Sequence, residues 1–211
     1  IITSLIKQAT HRNTCTISLG EALHCAFMRA DEEFISSASN SAGTTATVLL
    51  FEPGGLDRCG LWRGPGLVCL ASAGDTRAVL CRGNTAIPLT IDHKAASPES
   101  ISRVALAGGH VDRGRVMGSL AVGRALGDVH LKRGKNLKKN KWSTPEEALT
   151  PQPDILTFVP HRTGSSTEDD DQFIILASDG LWDVMSNQEA VDKVLEAFKA
   201  LSEPPTEKDV C

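Results

Sequence analysis

The sequence predicts an α+β layered sandwich, and three observations support that prediction. Short apolar runs bounded by turn residues follow one another through the middle of the chain, as is typical of buried strands. A helical apolar stripe precedes this cluster of strands, and a second one follows it near the end. Clustered antiparallel strands with helices before and after them favour an α+β layered sandwich over a doubly wound parallel sheet.

The boundaries of the elements follow from local signals. Ser18 with Glu21, and Ser186 with Glu189, have the spacing of capping boxes, which predicts helices over about Leu19 to Ser36 and from Ser186 onward. A third helix is predicted from Ser97 to Ala107, before two glycines. The predicted strands are Ala46 to Phe51, Leu67 to Gly74, Arg77 to Gly83, Thr85 to Thr90, Asp154 to Val159 and Phe173 to Ala177. The consecutive strands between Leu67 and Thr90 are expected to form an antiparallel meander.

The composition excludes some classes of protein. The chain has 211 residues, which is enough for one sizeable domain with its own core. Hydrophobic residues make up 41% and charged residues 23%, as in ordinary globular proteins, and the net charge of -4 does not indicate a nucleic-acid or membrane surface. No apolar run approaches the roughly 20 residues of a transmembrane helix.

The six cysteines are scattered and form no Cys-x-x-Cys pair. Cys25, Cys69 and Cys81 lie in apolar contexts, which predicts buried free thiols in a reducing compartment. The protein is therefore expected to be intracellular, either cytoplasmic or nuclear.

The stretch from Phe173 to Ser186 is the best candidate for a functional site. Asp179 follows a predicted buried strand, where a partly buried carboxylate is costly unless a cation pairs with it. Asp183 lies four residues later, so one turn of chain can direct both carboxylates to a common point, and Mg²⁺ and Mn²⁺ favour oxygen ligands. A helix-capping Asp followed by a surface Asp is an equally good interpretation. Asp75, at a predicted tight turn, is by its pattern an ordinary turn aspartate.

Four segments together resemble the metal-dependent protein phosphatases of the type 2C serine/threonine family. They occur in the family's order and are SAGTTATVLL (Ser41 to Leu50), ASAGDTRAVLCRG (Ala71 to Gly83), GSLAVGRALGDVHLK (Gly118 to Lys132) and ASDGLWDVMSNQEAV (Ala177 to Val191). The resemblance implies an antiparallel β-sandwich flanked by helices. It also implies hydrolysis of phosphoserine and phosphothreonine in phosphoproteins, by a water that two Mg²⁺ or Mn²⁺ ions activate.

The resemblance also assigns roles to individual residues. Asp179 resembles the family's core metal ligand, and Asp183 and Asp75 resemble ligands of an additional, weaker metal site. Residues from about 95 to 117 resemble the family's flap, a segment that borders the active site. Its arginines are candidate contacts to a phosphoprotein, with solvated surface arginines as the default interpretation; they are Arg103, Arg113 and Arg115.

The basic run from Lys132 to Lys141 begins a predicted insertion that extends to about residue 150. Such runs bind nucleic acid in some proteins or act as a nuclear address. This one has only Trp142 beside it and no interleaved aromatic residues, so a solvated insertion is favoured over a nucleic-acid site.

Some family motifs have no counterpart in these 211 residues. They are an upstream Asp-Gly-His-Gly-Gly motif with bridging metal ligands and a candidate general-acid His, an earlier phosphate-binding Arg, and a later Asp-Asn motif. Gly123 stands where the family usually has Ser. No catalytic residue is therefore assigned. The expectation is that residues 1–211 form a portion of a catalytic domain cut at both ends, with a degenerate pseudophosphatase that binds partners as the alternative.

Overall fold

The computed structural model describes residues 18–37, 42–51, 66–132, 135–136, 141–142, 148–161 and 169–202. The helices in these ranges are α1 (Leu19–Ser37), α2 (Pro98–Leu106), α3 (Val129–Lys132), α4 (Asp179–Trp182) and α5 (Asn187–Ser202). The strands are β1 (Gly43–Thr44), β2 (Ala46–Phe51), β3 (Val68–Ala73), β4 (Arg77–Arg82), β5 (Thr85–Pro88), β6 (Val111–Asp112), β7 (Arg115–Val116), β8 (Leu126–Gly127), β9 (Lys135–Asn136), β10 (Lys141–Trp142), β11 (Asp154–Phe158) and β12 (Asp171–Ala177). Each predicted helix and strand named above is present, with small differences at the ends.

Both predicted capping boxes form. At the start of α1 the Ser18 N–H donates to Glu21 Oε2 at 2.9 Å, and the Glu21 N–H donates back to Ser18 Oγ at 3.2 Å. Ser186 and Glu189 make the same reciprocal pair before α5, at 2.8 and 3.3 Å. These bonds satisfy N–H groups that a helix terminus otherwise leaves unpaired, which is why both helices begin at these serines.

Two three-stranded antiparallel sheets form the centre of the molecule. Sheet A has the strand order β11-β3-β2, and sheet B has the order β12-β4-β5. Every residue of β3 is buried, as are the four inner residues of β4. The central strand of each sheet is therefore covered on both faces.

Helix α1 covers the outer face of sheet A. Leu23 and Phe27 of α1 pack against Cys69, Ala71 and Ala73, which share one face of β3. Because side chains alternate along a strand, the buried residues between them point to the other face of the sheet, towards sheet B.

Helices α4 and α5 cover the outer face of sheet B in the same way. Val79 and Cys81 of β4 pack against Trp182 of α4 and against Ala190 and Val191 of α5. A cleft lined by residues of both sheets, among them Phe51, Leu80, Phe158 and Ile174, lies between the two inner faces. The layers are therefore helix, sheet, sheet and helix, and the predicted antiparallel sandwich with flanking helices is confirmed.

The predicted meander is wrong at its first turn. β3 pairs with β2 and β11, whereas β4 pairs with β5 and β12, so the turn after β3 passes from sheet A to sheet B. Only β4 and β5 form the hairpin that was expected. Two short buried strands with a tight connection have the same sequence pattern in a hairpin as in a crossing between packed sheets, so the pattern alone does not separate the two.

The segment from residue 95 to 117 contains α2 and the β6–β7 hairpin. Ser97 caps α2 by accepting the Ser100 N–H at 3.2 Å, and Pro98 occupies the first turn, as predicted. Val104 of α2 and Val116 of β7 are fully buried in a core cluster that also includes Val122, Ala125 and Leu149. The segment is thus packed into a core that it shares with residues later in the chain.

The basic run begins inside the protein. Lys132 is 1% exposed, and its Nζ donates to the Asp31 carboxylate on α1, which also accepts the Gly127 N–H at 2.7 Å. The expectation of a solvated insertion is therefore wrong for this first lysine. Its charge can be buried because Asp31 provides the partner that a buried cation needs. β9 and β10 form a small antiparallel pair further on, and most of the run lies outside the described residues.

Helix α1 has two different faces, which corrects one prediction. Cys69 and Cys81 are buried free thiols, but Cys25 is exposed. Cys25 lies on the side of α1 opposite Leu23 and Phe27, which face sheet A.

None of the helices within the described ranges combines the length and apolar character that crossing a bilayer requires.

Candidate metal-binding site

Asp75 lies in the turn that passes from sheet A to sheet B, and it is 7% exposed. Lys94 Nζ donates to its Oδ2 at 2.7 Å. Burial would lower the pKa of Lys94, but the hydrogen bond and charge of Asp75, with the charges of Asp92 and Asp183, raise it. Asp75 is thus a carboxylate already neutralised by a cation from its own chain.

Gly74 shapes this turn. Its φ of +114° is a conformation that residues with a side chain rarely adopt, and a Cβ atom there would lie 2.2 Å from Thr45 Cγ2. The Thr45 and Thr76 hydroxyl oxygens are 2.8 Å apart across the turn. The position of Asp75 is therefore set by the close packing of its turn against Thr45, the residue before β2.

Asp179 and Asp183 lie at the two ends of the single turn of α4. The Asp183 N–H donates to the Asp179 carbonyl at 2.8 Å, and between them Trp182 Nε1 donates to the Ala177 carbonyl at 2.8 Å. Trp182 is buried, while both aspartates are exposed. The expectation of a partly buried Asp179 is therefore wrong: the strand ends early enough that its carboxylate reaches solvent.

The structure brings the end of α4 towards the Asp75 turn. The negative charge of Asp183 helps to raise the pKa of Lys94, the partner of Asp75, and the pKa of Arg77, two residues after Asp75. Carboxylate oxygens are the donors that Mg²⁺ and Mn²⁺ prefer, so the two open aspartates fit such an ion. Among the described residues, no group of three or more His, Cys, Asp or Glu side chains is placed to hold a metal ion. The described residues can thus supply some of the ligands of a metal ion, but they do not form a complete metal centre by themselves.

The three predicted substrate arginines have different surroundings. Arg103 lies on α2, where its guanidinium donates to Glu99 Oε1 at 2.8 Å and to the Gly123 carbonyl. Burial lowers the pKa of Arg103, against the opposing charge of Glu99. Arg113 and Arg115 lie on the β6–β7 hairpin and are exposed, and Arg115 Nη1 donates to the Ser119 carbonyl at 2.7 Å. Both hairpin arginines therefore reach solvent, whereas Arg103 is held within the fold.

Residues 2–206 match the family model described as protein phosphatase 2C. The chain belongs to the protein phosphatase 2C family. Members of this family are serine/threonine protein phosphatases that depend on metal ions, generally Mg²⁺ or Mn²⁺. The resemblance of the four sequence segments is thereby confirmed.

Two curated relatives show how much of the phosphatase sequence is shared. Probable protein phosphatase 2C 49 from Oryza sativa subsp. japonica is 39% identical over 144 residues, which cover 67% of this chain and 30% of the relative. Protein phosphatase 2C homolog 2 from Schizosaccharomyces pombe is 36% identical over 183 residues, which cover 85% of this chain and 43% of the relative. The chain thus spans less than half the length of both relatives.

Solved structures share the fold. A Caenorhabditis elegans sex determining protein superimposes with a TM-score of 0.68 and 23% identity, covering 93% of this chain and 42% of that one. A phosphatase from Toxoplasma gondii gives a TM-score of 0.65 and 22% identity, covering 96% of this chain and 72% of that one. At this level of identity the similarity concerns the fold alone.

In this phosphatase fold, sequence reasoning missed His93. It is 4% exposed, and its Nδ1 lies 3.1 Å from the Gly74 N–H nitrogen, directly before Asp75. Its Nε2 lies 3.0 Å from Asp154 Oδ2 on β11, and Arg124 holds the other oxygen of Asp154 at 2.7 Å. The available signal was the Asp-His-Lys run at 92–94, in which a histidine lies between two charged residues.

Proposed function

We propose that residues 1–211 form a portion of the catalytic domain of a metal-dependent protein serine/threonine phosphatase. The reaction is hydrolysis of phosphoserine and phosphothreonine in phosphoproteins by a metal-activated water. The flap corresponds to residues 95–117, and residues 132–150 correspond to an insertion. The observation that supports this proposal best is the exposed carboxylate pair on α4, directed to solvent beside the Asp75 turn.

In this proposal the three aspartates hold the cations. Asp179 is the core ligand, and Asp183 and Asp75 serve a weaker site. When bound, Mg²⁺ or Mn²⁺ lowers the pKa of a coordinated water and neutralises charge on the phosphoryl group. The exposure of Asp179 and Asp183 supports the assignment, because neither carboxylate must be released from burial before it binds a cation.

Asp75 is in a different situation, because Lys94 already donates to it at 2.7 Å. A metal ion at Asp75 would have to share or displace that ammonium group. The occupancy of the weaker site is therefore controlled by competition between a divalent cation and Lys94.

The proposed phosphoprotein contact lies on the flap. Arg113 and Arg115 are exposed on its hairpin, and a guanidinium group binds a phosphate oxygen pair well. Arg103, which is bonded to Glu99 and Gly123, acts in this scheme by holding α2 in place.

The test is Mn²⁺-dependent hydrolysis of a phosphothreonine peptide by the native protein that carries this chain. Asp179→Asn should abolish the activity, whereas Asp192→Asn, an exposed aspartate on α5, should leave it unchanged. Full activity in the Asp179→Asn variant would refute the site assignment. The same assay on residues 1–211 alone tests how far this portion is sufficient.

A second candidate is a pseudophosphatase that binds partners through the same fold. It is favoured by the Lys94–Asp75 ion pair, which leaves one predicted ligand occupied, and by the missing Asp-Gly-His-Gly-Gly motif in these 211 residues. Calorimetry that detects binding of the phosphothreonine peptide, without its turnover in Mn²⁺, would select this function over the first.

We also propose an intracellular location, cytoplasmic or nuclear. The buried free thiols Cys69 and Cys81 support it, because they pack in the core as small hydrophobic side chains.

A further inference from the structure

We infer that Arg77 is a positioning residue that fixes α4, and with it Asp179 and Asp183, against the loop that carries Lys94. The inference rests on the proposed function, since it gives the α4 aspartates their role as metal ligands. It assigns to Arg77 no contact with substrate or metal.

Arg77 makes a two-point bond to the loop that carries Lys94. Arg77 Nε donates to Asp92 Oδ1 at 3.0 Å, and its Nη2 donates to Asp92 Oδ2 at 2.8 Å. The side chains are only 24% and 17% exposed. Asp92 lies two residues before Lys94, so this bond holds the loop whose ammonium group neutralises Asp75.

Arg77 also makes two contacts to the elements around α4. Arg77 Nη1 donates to Asn187 Oδ1, at the first residue of α5, at 2.7 Å. The guanidinium carbon lies 5.3 Å from the centre of the Trp182 ring, a cation–π distance. Trp182 directly precedes Asp183, and its own N–H is bonded to the last residue of β12. A shift of Arg77 would therefore release the turn that presents both aspartates.

The chemistry requires arginine. A planar guanidinium group makes the paired bond to Asp92, a third bond to Asn187 and the face contact to Trp182 at the same time. A lysine ammonium has no planar fork and cannot reproduce this set. Asp92 also balances the arginine's charge, so Arg77 can sit near Asp183 without presenting an uncompensated positive charge to a metal ion there.

The chain supplies a matched control at the other end of the same strand. Arg82 donates to Asp171 Oδ1 at 2.6 Å and to Oδ2 at 3.2 Å, so it also makes a paired bond from β4 to a carboxylate. Its partner lies on β12, at the end opposite α4. Arg82→Lys thus disturbs an equivalent ion pair away from the candidate site.

The experiment compares Arg77→Lys with Arg82→Lys in the native protein that carries this chain. Mn²⁺ binding is measured by titration calorimetry, and exchange of the Asp183 amide hydrogen is measured without metal. We expect Arg77→Lys to weaken Mn²⁺ binding by about tenfold or more, as for groups that orient metal ligands, and to speed exchange at Asp183. Arg82→Lys should change neither by more than about twofold, within the ordinary spread for a substitution distant from the measured site.

Equal effects of the two substitutions on both measurements would overturn the inference. If Arg77→Lys does not fold, Asn187→Ala removes a single contact of Arg77 and should change both quantities in the same direction by less. No effect of Asn187→Ala would then count against the inference. Absence of Mn²⁺ binding in the unsubstituted protein would instead refute the proposed function, and faster Asp183 exchange in Arg77→Lys would still support the positioning role.

Discussion

Asp75 and the Asp179–Asp183 pair are the same chemical group in two opposite settings. Asp75 is buried in a turn packed against β2, and its carboxylate is bonded to Lys94. Asp179 and Asp183 are exposed on one helical turn at the end of a strand. The comparison shows that a carboxylate can serve the fold through a partner within the chain or be left available to a cation from solution.

Adding a methyl group should separate the two settings most clearly. Gly74→Ala should destabilise the fold by about 2–4 kcal/mol, because its φ of +114° is strained for alanine and the Cβ atom would lie 2.2 Å from Thr45. Gly180→Ala on α4, where the Cβ atom meets only Ser178 Oγ at 3.6 Å, should be neutral or stabilising by up to about 1 kcal/mol. Urea unfolding of both variants measures this, and equal losses would contradict the contrast.

Removing charge should have unequal effects on stability. Asp75→Asn weakens the bond to Lys94, and we expect a loss of about 1 kcal/mol, a modest value because the Lys94 side chain is 44% exposed. Asp183→Asn should change stability by less than about 0.5 kcal/mol, because its carboxylate is exposed. Urea unfolding without metal provides the measurement. A larger loss for Asp183→Asn would show that the open carboxylate is also structural.

Removing Lys94 should make the Asp75 carboxylate available to a cation, as those of Asp179 and Asp183 already are. Lys94→Met leaves Asp75 without its ammonium partner, so the affinity for Mn²⁺ should rise by about fivefold, corresponding to about 1 kcal/mol for a partly exposed ion pair. Lys193→Met, which removes an exposed lysine paired with Glu196 on α5, should not change it. Titration calorimetry provides the test. An unchanged or weaker affinity in Lys94→Met would mean that Lys94 does not compete for Asp75.

The smallest expected effect is on the pH dependence of stability, and it concerns Asp154, which bonds to His93 beside the Asp75 turn. Burial would raise the pKa of Asp154, but the hydrogen bond from His93 and the charge of Arg124 lower it overall. Its stabilisation is therefore present above the unfolded pKa of about 3.8 and is lost as pH falls through the folded pKa. Asp154→Asn should reduce the loss of stability between about pH 5 and 3 only slightly, because the side chain is 56% exposed. Urea unfolding as a function of pH would detect this, and an identical pH dependence in the variant would contradict it.

The surroundings of Gly123 explain a departure from the family's sequence pattern that the sequence alone does not explain. Gly123 stands where the family usually has Ser, and the sequence offers no reason for the change. In the structure a Cβ atom at Gly123 would lie 1.9 Å from Ser100 Oγ on α2. The glycine is therefore needed because a residue distant in sequence fills the space.

The sequence was informative where the signal is local. Capping boxes, the Ser-Pro start of α2 and the apolar runs predicted the helices and strands, because each depends on residues within a few positions of one another. The order of four segments likewise identified the family, and the motif around Asp179 located the open carboxylates. These features need no knowledge of what packs against them.

The tertiary structure alone decided the pairings between distant residues. It placed β3 and β4 in different sheets, buried Lys132 against Asp31 and left Cys25 exposed. It also brought Arg77 to Asp92, Trp182 and Asn187, which lie up to 110 positions away. Burial, ion pairing and crowding arise from neighbours that meet only after the sheets pack, so a local pattern locates a carboxylate but does not determine whether the fold or a cation uses it.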